Sequence, residues 1–157
     1  MSIWGKLLAG TFGFALGGPI GALLGVIAGH SVDKIRKQKN NFDGNIQSPQ
    51  EIITIGIIIL AAKLAKADGQ VTSEEVSAFK EKFKIPSDFQ SDVGKIFNEA
   101  KKNSEDYHQY AQQLGMIFRS QPQVLEHVIN LLFFIAEADG EISAPEITFI
   151  EGCSRYF

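Results

Sequence analysis

Residues 66–76 read KADGQVTSEEV and residues 137–147 read EADGEISAPEI, with Asp139 following Asp68 by 139 − 68 = 71 residues. At that constant offset Ala67 meets Ala138, Gly69 meets Gly140, Val71 meets Ile142, Thr72 meets Ser143 and Glu75 meets Glu146. Self-similarity at a fixed spacing marks an internal duplication. Each copy carries the same instructions. Asp-Gly breaks a helix, glycine supplies a backbone conformation that other residues avoid, and an aliphatic residue plugs the core. A hydroxyl with glutamate three residues later then forms a capping box that starts the next helix.

The runs leading into the two turns, IITIGIIILAAKLAKA from Ile52 and VLEHVINLLFFIAEA from Val124, are apolar on most sides. Two such core helices are expected to pack on each other, with the remaining helices wrapped around them. Ser48, Pro49 and Glu51 form a helix start, and the apolar run from Ile52 stops at Lys63, too short for a second membrane span. Val76, Phe79 and Phe83 stripe the helix after Thr72, which Pro86 closes. A fourth helix runs from Ser87 through Val93, Ile96 and Phe97 to Ala100. Ser104 is read as the cap of a fifth, holding Tyr107, Tyr110, Leu114, Ile117 and Phe118. Pro122 opens the sixth and Ser143 caps the seventh. No sustained period-two alternation occurs, so the fold class is all-α.

Ahead of this bundle lies Leu7–Gly29, LLAGTFGFALGGPIGALLGVIAG, without a charge. As one helix it would measure about 35 Å, enough to cross a hydrocarbon core of about 30 Å. Gly13, Gly17, Gly21, Gly25 and Gly29 recur at every fourth position, a glycine zipper that invites a second copy to pair through close backbone contact. Gly17-Gly18-Pro19 at its middle is where a kink or a re-entrant hairpin would form. A cleaved signal peptide fits less well, because the apolar region is too long and its positive charge lies on the wrong side. Lys6 alone precedes the stretch whereas Lys34, Arg36, Lys37 and Lys39 follow it, so positive-inside logic places the rest of the chain in the cytoplasm. The expected organisation is a short tail (1–6), a single transmembrane helix (7–29), a basic and polar linker (30–47) and an all-helical domain (48–157).

From Asn40 onward ten basic residues face seventeen acidic ones, a net of 10 − 17 = −7, which argues against nucleic acid as a partner. The single cysteine, Cys153, excludes an intrachain disulfide. No Gly-x-Ser-x-Gly, Walker loop or His-Glu-x-x-His motif occurs, and His30, His108 and His127 are isolated, with His127 read as a core-edge residue. The phenylalanines 79, 83, 97, 118, 133 and 134 sit at core spacing. An enzyme is not expected. Gly69, Val71 and Glu75, like Gly140, Ile142 and Glu146, fit the second half of a calcium loop, but Leu64 and Lys66, or Ile135 and Glu137, occupy the first ligand positions. No cofactor is therefore expected, unless Asp68, Glu75, Asp139 and Glu146 converge from both copies to hold a divalent metal.

KADGQVTSEEV and EADGEISAPEI resemble the paired signatures of the TerB-like helical domains of tellurite resistance, over roughly Ser48 to Phe157. Preceded by WGKLLAGTFGFALGGPIGALLGVIAGHSVDK, the arrangement is similar to the amino-terminal part of the DjlA family of membrane-anchored DnaJ-like co-chaperones. That resemblance implies a single inner-membrane span that dimerises, a cytoplasmic TerB-like domain, and a J domain that stimulates a DnaK-type chaperone. The acidic helical domain is expected to recruit a protein partner of its own. This chain reaches Phe157 without a His-Pro-Asp tripeptide, so stimulation by these residues alone is not expected. It reads as a piece or truncation of such a protein, or as a stand-alone relative. The alternative function is a divalent-metal-binding or tellurite-stress module of the TerB type.

Overall fold

A helix as uniformly apolar as the one after Ser48 has no face to leave in water, and the fold is the enclosure it requires. The computed structural model describes residues 17–29, 49–67, 69, 72–85 and 90–157. Within them lie seven α-helices: α1 (Gly18–Gly29), α2 (Pro49–Lys66), α3 (Ser73–Phe83), α4 (Gln90–Ala100), α5 (Tyr107–Ile117), α6 (Pro122–Ala136) and α7 (Ala144–Ser154). A 3₁₀ turn, Glu137–Asp139, follows α6. All regular structure among the described residues is helical.

Every residue of α2 from Ile55 to Ala65 is buried. The helix is packed by α4, α5, α6 and α7, so the two core helices of the duplication do lie against each other. Closest approach between α2 and α5 depends on Gly56, where a Cβ would fall 2.6 Å from Leu114 Cδ2. Helix α3 packs on α6 and its 3₁₀ turn, while α7 packs on α2, α5 and α6. Phe79 is buried, with its ring centroid 4.7 Å from that of Phe83 and 5.7 Å from that of Phe97.

The described residues of the two duplicated turns agree. Gly69 N–H donates to the Lys66 carbonyl at 2.8 Å, and Gly140 N–H donates to the Glu137 carbonyl at 2.9 Å, an equivalent pair at the same offset. Both glycines are left-handed, with φ of +92° and +94°. The helices that follow begin at Ser73 and Ala144 and end at Phe83 and Ser154, again in register. In the second copy the expected capping box is complete. Ser143 Oγ accepts from Glu146 N–H, while the Glu146 carboxylate accepts from Ser143 N–H at 2.8 Å and from its hydroxyl at 3.0 Å. Ile142 packs against the core as the aliphatic plug.

Three local readings are corrected. Helix α5 starts later than Ser104 implies, with Asp106 at its N-cap position and no side-chain cap. His127 is exposed instead of lying at the core edge. Phe133 and Phe134 are also exposed, because α6 turns its outer face to water, and Phe134 lies beneath Lys82, whose Nζ is 4.9 Å from the ring centroid.

A Cβ at Gly140 would meet no neighbour within 4 Å, so backbone strain alone opposes a side chain there. Gly140→Ala is expected to cost about 1 kcal/mol in urea unfolding, and Gly140→Asn about half as much, because asparagine tolerates the left-handed region. Equal losses for the two variants would contradict the conformational explanation.

Candidate functional site

Where α4 ends and α5 begins, the bundle contains a buried cation. Lys63 is 1% exposed, although it stands inside the apolar run of α2. Its Nζ donates to the Ala100 carbonyl at 3.0 Å, to the Asn103 carbonyl at 2.6 Å and to Asp106 Oδ1 at 2.5 Å. It also lies 4.7 Å from the centroid of the Tyr110 ring. All three ammonium donors are used. Two of the acceptors belong to the end of α4 and the segment just beyond it, where carbonyls lack helical partners and the helix dipole favours a cation. Asp106, which would otherwise cap α5, is committed to the lysine. Burial, followed by the nearby Asp106 and Glu99 carboxylates, pushes the Tyr110 hydroxyl up to about 12. Burial alone raises the Cys153 thiol to about 12, so Cys153 is a packed residue with little thiolate at neutral pH.

Helix α1 lies over this junction, packed on α4 and α5. Ile20 and Leu23 are buried, and Leu24 and Ile27 pack on the same core. At its start Gly17 and Gly18 are both left-handed, at φ +67° and +62°, a conformation through which a right-handed helix does not run. Gln113 of α5 holds this start of α1. Its Oε1 accepts from Ile20 N–H at 2.9 Å, and its Nε2 donates to the Gly17 carbonyl at 3.0 Å. A Cβ on Gly18 would lie 2.8 Å from Gln113 Nε2, so the conformation calls for glycine and a side chain there would also displace the Gln113 amide.

Of the glycine ridge, Gly17 is exposed, Gly21 is buried in α1 and Gly25 faces open space. Gly29 ends the helix and Gly13 lies outside the described residues. No helix among the described residues is long and apolar enough to cross a membrane.

The four carboxylates considered for a metal are only partly in view. Asp68 and the side chains of Glu75 and Asp139 lie outside the described residues. Glu146 is buried and spends its carboxylate on the cap of α7. Among the described residues no group of three or more His, Cys, Asp or Glu side chains gathers to hold a metal ion.

Sequence reasoning passed over Lys63 and Gln113. The only signal for Lys63 was a lone charge between Ala62 and Leu64, and nothing in the sequence marked Gln113.

Residues 54–157, the segment containing both turns and α3–α7, match the family of tellurite resistance protein TerB. The chain belongs to the TerB family. Ahead of the TerB segment, residues 1–48 match the co-chaperone DjlA transmembrane domain. Similar curated proteins include the co-chaperone protein DjlA of Photobacterium profundum, 29% identical over 92% of this chain and 56% of the relative. The DjlA protein of Legionella pneumophila is 28% identical over 87% of this chain and 49% of its own length. That of Coxiella burnetii is 24% identical over 87% and 54%. The chain thus spans about half the length of the curated relatives it matches. No solved structure matches it.

Removing the ammonium strands a carboxylate and two carbonyls, so Lys63→Met is expected to cost about 3 kcal/mol in urea unfolding. Pairing it with Asp106→Leu should recover part of that loss, and a double variant no better than the single would contradict the pairing. Because the folded state holds the Tyr110 proton more tightly than the unfolded chain, this contribution is complete below pH 10 and fades as pH rises toward 12. Alkaline stability profiles of the parent and Tyr110→Phe should therefore diverge in that window, the variant losing less.

Proposed function

We propose that this chain is the membrane-anchored, dimerising regulatory and interaction region of a DjlA-like co-chaperone. One observation carries the reading: a DjlA transmembrane-domain match over 1–48 runs directly into a TerB match over 54–157, and the relatives covering most of the chain are named co-chaperones. On this reading residues 7–29 cross the bacterial inner membrane once, residues 30–47 form the linker, and the domain from residue 48 onward sits in the cytoplasm. The four basic residues after the span fit that orientation. Gly13, Gly17, Gly21, Gly25 and Gly29 would let two spans approach closely, and pairing would place two TerB-like domains side by side.

The work of the bundle on this account is recruitment, not bond-making. It binds a protein partner, while stimulation of a DnaK-type chaperone belongs to a J domain outside these residues. Anchoring converts a weak encounter into a local one by raising effective concentration at the membrane.

Two measurements test this. Protease added to right-side-out spheroplasts should leave the acidic domain intact, whereas digestion would reverse the orientation. In a membrane two-hybrid assay, replacing Gly17 and Gly21 together by leucine should reduce self-association at least tenfold, and unchanged association would remove the glycine interface.

A further inference from the structure

The same twelve residues face two incompatible environments. As part of a transmembrane helix, 18–29 must continue the helix of the preceding residues, because an interrupted backbone has no partners in hydrocarbon. In the structure Gly17 and Gly18 are left-handed and the polar groups beside them are bonded: the Gly17 carbonyl accepts from both Gly21 N–H and Gln113 Nε2, each at 3.0 Å, and Ile20 N–H donates to Gln113 Oε1. The apolar face is satisfied too, with Ile20 fully buried and Leu23, Leu24 and Ile27 against the core. With 18–29 seated in this way, the uncharged residues left for a bilayer run only from Leu7 to Gly17, about 16 Å as helix and half of a hydrocarbon core.

We infer that the α4–α5 face is a dock for the chain's own residues 18–29, that this segment exchanges between the dock and the bilayer, and that Gln113 is the latch. The inference rests on the membrane-anchor reading proposed above. In the docked form the span is incomplete and the α4–α5 face is covered. In the inserted form the span is complete and that face, with the amide of Gln113, is uncovered to meet a partner. Gly17 and Gly18 are the hinge, since glycine adopts the left-handed and the helical conformations with little penalty for either.

The latch contributes two neutral hydrogen bonds, so its loss should shift the docked-to-inserted ratio about tenfold toward the membrane. Val26 and Asn103 face a common cleft between α1 and the α4–α5 junction, which makes them a reporter pair. On a Cys153→Ala background, the full chain carrying Val26→Cys and Asn103→Cys would be titrated with phosphatidylethanolamine–phosphatidylglycerol vesicles and treated with a short bismaleimide. The intramolecular cross-link should form at low lipid and decline as lipid is added. Gln113→Leu should move the midpoint to about tenfold less lipid. A cross-link yield indifferent to lipid, identical midpoints for parent and variant, or a cross-link joining two chains would each overturn the inference. Flotation separates its failure from that of the anchor reading. A chain that does not float with vesicles refutes the anchor and the exchange together, whereas one that floats and keeps a lipid-independent cross-link refutes the exchange alone.

Discussion

The ammonium of Lys63 organises the end of the bundle on which α1 rests. A lysine enclosed by an apolar helix must be given acceptors, because a buried charge without partners is among the costliest defects a fold can carry. The chain supplies them by bringing the end of α4, the turn after it and the start of α5 to one point over α2. That requirement fixes the path between Ala100 and Tyr107, and with it the relative placement of the two helices on which α1 rests. Asp106 balances the charge and Tyr110 covers it with its ring. A hydrophobic residue at position 63 would fill the space without dictating where the α4–α5 turn must go.

The duplication explains the other half of the architecture. Both copies make the same left-handed glycine turn, and both send out an eleven-residue helix in the same register. Their surroundings differ, and so do the demands on their core helices. Helix α2 is enclosed from Ile55 to Ala65, whereas α6 keeps one face in water and leaves Phe133 and Phe134 there. In the second copy the glycine conformation, the backbone bond that closes the turn and the capping box after it are all present.

Much of this was legible in the sequence because the signals are local. Pro49 and Pro122 mark the first residues of α2 and α6, Ser143 and Glu146 cap α7, and the two Asp-Gly pairs mark where helices break. Such features act over three or four residues, and the physics that reads them is the same in a peptide and in a fold. What escaped notice acts over distance. Lys63 and Asp106 are 43 residues apart, and Ile20 and Gln113 are 93 apart. Ser104 looked like a cap because nothing nearby revealed that a distant lysine would claim Asp106. The two outward phenylalanines of α6 escaped for a related reason: an apolar run shows that a helix is buried, but not which of its faces lacks a neighbour.

Amide hydrogen exchange on Lys63→Met compared with the parent chain tests the central role of this cation most directly. If the ammonium holds the α4–α5 junction, protection should fall most around residues 97–107 and in α1 above them, beyond the general loss that α6 and α7 show from the lower global stability. Unchanged protection across the junction would contradict the account, since the turn would then be held by packing alone.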